Sequence, residues 1–144
     1  MEHRSTHERI TPEILRDVGT RVLASLGVPE DDGALVADSL VQADLWGHQS
    51  HGFLRLPWYA ARLRSGVMRA VADPAVLSDT GPLVLLDGRD GIGQVLTERA
   101  RRLAVERART HGVGVVVRHA RGGEHGGGER PQGSGGQARH GTSA

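Results

Sequence analysis

The run Asp44-Leu45-Trp46-Gly47-His48-Gln49-Ser50-His51-Gly52-Phe53-Leu54-Arg55-Leu56-Pro57-Trp58-Tyr59 concentrates most of the reactive side chains of this sequence in one place. Two histidines, a serine, an arginine and a tyrosine lie within it, bracketed by Gly47, Gly52 and Pro57. Glycine permits close backbone approach and unusual dihedral angles, which binding sites often require. All four aromatic rings of the 144-residue chain, Trp46, Phe53, Trp58 and Tyr59, also fall here, and large rings commonly anchor a core or a site. Imidazole changes charge nearer to neutral pH than other side chains, which suits His51 to passing a proton. Arg55 carries a planar fork able to grip a carboxylate through two hydrogen bonds. Ser50 and Tyr59 each offer a hydroxyl to a substrate oxygen. The alternative for the histidine pair is helix-end capping, and spacing alone leaves both readings open. A metal centre is disfavoured, because His48 and His51 have no third ligand at a recognisable spacing.

Upstream of this run the pattern is helical. Thr11 followed by Pro12 is an N-cap with proline in the first turn, and Ile14, Val18, Val22, Leu23 and Leu26 keep helical spacing until Gly27. A second helix is expected from about Pro29, where Glu30, Asp31 and Asp32 suit the positive end of its dipole. Its apolar positions are Leu35, Val36, Leu40, Val41 and Leu45, and Gly47 ends it. A third, shorter helix follows Pro57 and carries Tyr59, Ala60 and Leu63 as far as Gly66.

Downstream the period changes. Ala75-Val76-Leu77 predicts a weak strand, and Leu83-Val84-Leu85-Leu86 a stronger one after the Gly81-Pro82 turn. A helix is expected from Ile92 to His111, with Val95, Leu96, Leu103, Ala104 and Ala108 on one face, and Val113 to Val117 reads as a buried strand. Strand, helix, strand is the opening of an α/β layer. From Gly122 to Ala144 the sequence holds nine of the 21 glycines and no Val, Ile, Leu, Met, Phe, Trp or Tyr. Such a segment cannot offset its conformational entropy by burial and is expected to be a disordered tail. The expected organisation is a helical region over 1–74, the start of an α/β cofactor domain over 75–121, and the tail over 122–144.

The bulk composition narrows the classes. With 38% hydrophobic and 24% charged residues and a net charge of +1, the chain suits a single globular domain with a sizeable core. The absence of cysteine excludes disulfide scaffolds, zinc–thiolate sites and thiol nucleophiles. No apolar run reaches membrane-spanning length and no secretory segment follows Met1, so a cytoplasmic location is expected. All 18 basic residues are arginine, consistent with a GC-rich gene. Arg99, Arg101, Arg102, Arg107 and Arg109 crowd the fourth helix, but Glu98 and Glu106 are interspersed. A solvated, ion-paired face is therefore expected there rather than a nucleic-acid surface. Gly91-Ile92-Gly93 follows a strand and opens a helix, as a dinucleotide-binding loop would. Leu96 stands at the third glycine position, however, and no acidic residue closes a following strand, so a Rossmann site is disfavoured.

The run 44–59 resembles the malate/L-lactate dehydrogenase family, whose fold is distinct from that of the Rossmann lactate dehydrogenases. That family carries a pattern close to D-x-x-G-x-x-S-H-G-x-x-R-L-P-x-Y, matched in register by Asp44, Gly47, Ser50, His51, Gly52, Arg55, Leu56, Pro57 and Tyr59. Ser65-Gly66, the segment from Asp87 to Gln94 (family pattern D-G-x-x-G-x-G-Q), and Ala100, Ala104, Ala108 and Gly112-Val113-Gly114 extend the match over about residues 10 to 121. The resemblance implies an α/β fold with a mixed sheet. It also implies hydride transfer between NAD or NADP and C2 of a small 2-hydroxy or 2-oxo acid. By register, His51 would be the proton donor or acceptor and Arg55 the carboxylate ligand, with Ser50 and Tyr59 positioned around the substrate. A family-type homodimer is a further implication.

Departures begin after Arg118-His119-Ala120-Arg121, where Gly122-Gly123-Glu124 stand in place of the family's His-Phe-Gly and His125 is out of register. Family members are also considerably longer. The chain is therefore expected to be a truncated member, its tail the product of an out-of-frame read or a genuine terminus. It is expected to be inactive alone, or to act as a non-catalytic fragment that associates with a full-length homologue.

Overall fold

The computed structural model describes residues 10–119. The expectations for the glycine-rich segment 122–144 lie outside those residues.

Helix α1 (Pro12–Ser25) begins where Thr11-Pro12 predicts, but the Thr11 side chain makes no capping hydrogen bond. The start comes from proline, whose fixed φ is already helical. The buried residues of α1 are Gly19 and Leu23, whereas Ile14 and Val18 of the expected apolar face are exposed. The physical reason is Gly19, at which a Cβ would lie 2.9 Å from the Ala37 Cβ and 3.0 Å from the Phe53 ring. Contact that close turns the glycine stripe, one residue round from Ile14 and Val18, onto the neighbouring helix. That neighbour is α2 (Glu30–Leu45), whose first turn holds Glu30, Asp31 and Asp32 and whose buried face is Gly33, Val36, Ala37, Leu40 and Val41. Leu45, expected on that face, is exposed. Gly27 and Gly47 take positive φ after the two helices, as helix-stopping glycines do.

Between Gly47 and α3 (Leu56–Arg64) the chain makes two single turns of 3-10 helix, Gln49–His51 and Phe53–Arg55, joined by Gly52. Strand β1 (Ala75–Asp79) pairs antiparallel with β2 (Leu83–Asp87), with an irregularity between Val76 and Ser78. Helix α4 (Gly93–His111) then carries the chain to β3 (Val115–His119), which pairs parallel with β2. The sheet is mixed, in the order β1-β2-β3. The fold is thus the α/β arrangement expected, with a correction at β3. The valine run predicts a buried strand, yet among the described residues β3 is an edge strand, with Val115 and Val117, and Val113 just before it, about half exposed. A run of apolar residues marks a strand able to be covered on both faces; coverage depends on neighbours that no local pattern encodes.

The β2–α4 connection is a tight turn in which Arg89 and Asp90 hold φ of 46° and 59°. Left-handed backbone is unfavourable for residues with a Cβ, and here several contacts enforce it. The Gly91 N–H donates to the Gly88 carbonyl at 3.0 Å, and the Arg69 N–H donates to the Asp90 carbonyl at 2.9 Å. The Asp87 carboxylate accepts the Arg89 N–H at 2.9 Å, and Arg89 pairs with Asp73 at 2.9 Å. Beneath the turn, Leu23, Val28, Val36, Leu40, Leu56, Ala72, Ile92, Val95 and Leu96 form one apolar core shared by the helices and the start of α4.

Candidate functional site

The chemistry-bearing run is folded by a carboxylate behind it. Asp44, near the end of α2, accepts the Phe53 N–H through Oδ2 at 2.8 Å, nine residues along the chain. Gly52 is buried against this same carboxylate. The Gly52 carbonyl in turn accepts the Arg55 N–H at 2.9 Å, which closes the second turn. This packing presents Ser50, His51 and Arg55 on the outside of the bend, all three exposed.

The predicted site residues do come together. His51, Arg55 and Tyr59 line one hollow of about 380 Å³, whose other walls are Ser39, Ala43, Trp58 and Gln94. Ser50 stands at its margin, with Oγ 3.0 Å from Nδ1 of His51. Arg55 is tethered by Nε, which donates to the Ser50 carbonyl at 2.6 Å, while its two terminal nitrogens take no partner among the described residues. Tyr59 is held from both sides. Its ring meets Trp58 edge-on, centroids 5.1 Å apart, and its hydroxyl accepts a hydrogen bond from the Gln94 amide nitrogen at 2.6 Å. The Arg62 guanidinium lies over Trp58, 4.8 Å from the ring centroid.

A second hollow of about 410 Å³ shares Ser39, Ala43 and His51 with the first and adds Asp38, Gln42, Trp46 and His48. His51 is therefore the ridge between two depressions, and His48 faces the other one. Among the described residues no three His, Cys, Asp or Glu side chains gather as a metal site would need.

Gln94, Trp58 and Ser39 line the main hollow and were not singled out as site residues from sequence. Gln94 belongs to the quoted Asp87–Gln94 segment, but its contact with Tyr59 spans 35 residues, and no local pattern reports such a contact. In the alternative dinucleotide loop, Gly91 packs against the core, whereas a Cβ at Gly93 would meet nothing within 4 Å. Ile92 between them is fully buried, Leu96 is 2% exposed, and a Cβ at Gly91 would lie 3.4 Å from Ala72. The arginines of α4 are largely ion-paired. Arg101 and Arg102 both bond to Glu98, Arg99 pairs with Asp32 at 3.2 Å, and Arg107 pairs with Asp79 at 2.7 Å. Hydrogen bonds from Arg101 first, then Arg102, hold the Glu98 carboxyl down at about 2, well below the usual carboxylate range.

No helix among the described residues is long and apolar enough to cross a membrane. A family model described as malate/L-lactate dehydrogenase matches residues 10–125. Over 109 residues the chain is 40% identical to a malate dehydrogenase of Pyrococcus horikoshii, a match covering 76% of this chain and 30% of that protein. Identity is also 40% over 111 residues with an L-sulfolactate dehydrogenase of Methanothermobacter thermautotrophicus, covering 77% of this chain and 33% of the relative. The solved structure of the Pyrococcus horikoshii malate dehydrogenase superposes with a TM-score of 0.74 at 39% identity, covering 77% of this chain and 32% of the other. The match thus spans about a third of the length of these relatives.

Proposed function

The chain belongs to the malate/L-lactate dehydrogenase family, and from that premise we propose that its His51 pocket binds a small 2-hydroxy or 2-oxo acid and manages the proton at the C2 oxygen. The observation that carries this reading is the convergence of His51, Arg55 and Tyr59 on one hollow of about 380 Å³. A three- or four-carbon hydroxy acid needs a cation for its carboxylate and a proton-transfer group at its C2 oxygen. Arg55 supplies the cation. With Nε committed to the Ser50 carbonyl, its guanidinium plane is fixed and both Nη groups face outward as a fork for a carboxylate. His51 supplies the proton transfer. Nδ1 lies 3.0 Å from the Ser50 Oγ; in this reading Nδ1–H donates to that oxygen, so the free Nε2 takes the proton of the alcohol in the oxidising direction, and the imidazolium gives it to the carbonyl oxygen in the reverse.

In this reading NAD or NADP, when bound, supplies or accepts the hydride. The described residues do not form a Rossmann-type grip for the dinucleotide. Gly91 and Gly93 flank a buried Ile92, Leu96 occupies the third glycine position, and β3 closes with Arg118-His119. His51 is also open to water, whereas efficient hydride transfer requires two ligands positioned together. We therefore expect acid binding by this chain without turnover, and a cytoplasmic, small-molecule role for the parental enzyme.

The test is a titration with oxamate, an unreducible isostere of a 2-oxo acid, followed through the histidine ring resonances. The expected result is a saturable shift at His51 that Arg55→Gln weakens about tenfold or more, the equivalent of one or two charge-assisted hydrogen bonds. Unmoved His51 resonances overturn the reading, and NADH oxidation by the chain with pyruvate overturns the expected inactivity.

A second reading, association with a full-length homologue, is favoured by one observation. Val76, Leu77, Leu83, Val115 and Val117 of the sheet are all more than 40% exposed. Pairing of two copies as a family-type homodimer belongs to the same reading. Co-purification of the chain with a full-length homologue is the outcome expected of it.

A further inference from the structure

Gln94 stands in the first turn of α4, and its amide nitrogen reaches the Tyr59 hydroxyl oxygen at 2.6 Å. A phenol has one proton to donate and lone pairs with which to accept. The Gln94 N–H takes a lone pair of that oxygen, which leaves the phenolic proton free to turn toward the hollow that His51 and Arg55 also line. We propose that Gln94 is a positioning residue for this pocket. It fixes Tyr59 as a hydrogen-bond donor, so that the phenol holds the C2 oxygen of the bound acid by its proton and does not present a lone pair to it. The inference deepens the functional reading given above and rests on it.

Both ends of the Gln94–Tyr59 contact are held. Tyr59 is partly buried and meets the Trp58 ring at 88°, and Trp58 is itself covered by Arg62. On the other side, Gln94 follows Ile92, which is fully buried in the core and caps α4. The preceding turn has left-handed Arg89 and Asp90 pinned by Asp87, Asp73 and the Arg69 N–H. Residues persist in that conformation only where the surroundings over-determine it. The turn's far side is tied to the sheet, where the Gly88 N–H donates to the His119 carbonyl at 3.2 Å. The start of α4 is therefore fixed relative to both the sheet and the helical core, and Gln94 reaches the phenol from a rigid base. A hydrogen bond that only joined α3 to α4 would contribute stability and leave ligand affinity unaffected.

Tyr59 is the chain's single tyrosine, so tyrosine labelled with carbon-13 at Cζ gives one resonance, which reports on its hydroxyl. The experiment titrates oxamate into the full 144-residue chain and into Gln94→Met, Tyr59→Phe and the double variant, following the Tyr59 and His51 signals. Gln94→Met keeps side-chain length and removes the donor. The expected result is a displaced Cζ resonance in unliganded Gln94→Met and oxamate binding weakened about tenfold, the scale of a hydrogen bond to a charged ligand. A similar loss is expected in Tyr59→Phe, with no additional loss in the double variant, because Gln94 acts through the hydroxyl. Losses that add, or wild-type affinity in Gln94→Met, overturn the proposal while leaving the acid-binding reading intact. A wild-type chain whose His51 and Tyr59 signals ignore oxamate overturns both. If circular dichroism shows Gln94→Met unfolded, Gln94→Ser, polar but too short to reach the phenol, replaces it with the same expected outcomes.

Discussion

Gly52→Ala is expected to destabilise the protein through one identified contact. The φ and ψ of Gly52, −86° and −158°, are open to any residue, so backbone strain does not demand glycine here. Space does. A Cβ would run into the Asp44 carboxylate, with Oδ2 at 2.7 Å and Oδ1 and Cγ closer still. The carboxylate has to leave, and with it goes the 2.8 Å hydrogen bond from the Phe53 N–H. A hydrogen bond to a charged group contributes about 1.5–3 kcal/mol. Asp44 is only partly buried and has room to swing outward, so the overpacking penalty falls toward the low end of about 1–3 kcal/mol. Gly52→Ala is thus expected to cost about 2–4 kcal/mol, and Asp44→Ala about 1.5–3 kcal/mol. The decisive variant is the double one. With Asp44 truncated the obstacle is gone, so adding Gly52→Ala to Asp44→Ala costs no more than roughly 0.5 kcal/mol, a coupling of about 2 kcal/mol. Urea unfolding followed by tryptophan fluorescence at low protein concentration measures all three. If Gly52→Ala costs the same with and without the Asp44 carboxylate, the clash is elsewhere and the reasoning fails.

Two further outcomes are expected. Because the Glu98 carboxyl is held at about 2 rather than the usual 4.5, its ion pairs favour the folded state above the ordinary carboxylate range. That contribution is lost as pH falls through about 2; a carboxyl carbon-13 titration should show that midpoint rising in Arg101→Gln and, by less, in Arg102→Gln. The exposed edge strand β3, with Val115 and Val117 at 46% and 47% exposure, should drive concentration-dependent association. Val115→Lys with Val117→Lys should suppress that association in light scattering, since charge on an edge strand opposes pairing; unchanged scattering places the contact on another surface.

What the sequence made legible is what local chemistry controls. Thr11-Pro12 and Pro29 with its three acids mark helix starts. Gly27, Gly47, Gly66 and Gly112 mark helix ends and all hold positive φ, because a left-handed residue after a helix is settled by the residue itself. What stayed hidden depends on partners distant in sequence. The rotation of α1 is decided by Gly19 against Ala37 and Phe53, so Ile14 and Val18 keep a helical period yet face outward. The two 3-10 turns depend on Asp44, nine residues upstream of its partner. The grouping of His51, Arg55 and Tyr59 could be anticipated from spacing across a short bend, whereas Gln94 enters only through the path of the chain around β1 and β2.

On the proposed reading, binding an acid and reducing it make separate demands on the polar groups of the pocket. Arg55 is anchored by the Ser50 carbonyl, His51 by the Ser50 hydroxyl and Tyr59 by Gln94. Each is oriented by a contact inside the described residues, so its geometry exists before any ligand arrives. Such preorganisation lowers the ordering entropy that binding must overcome. Proton transfer coupled to hydride transfer asks for more: a second ligand held against the first and water excluded from both. Among the described residues His51 and Arg55, which line the hollow, are exposed. On the proposed reading, substitution at Arg55 or Gln94 should therefore register in acid affinity whether or not turnover is measured.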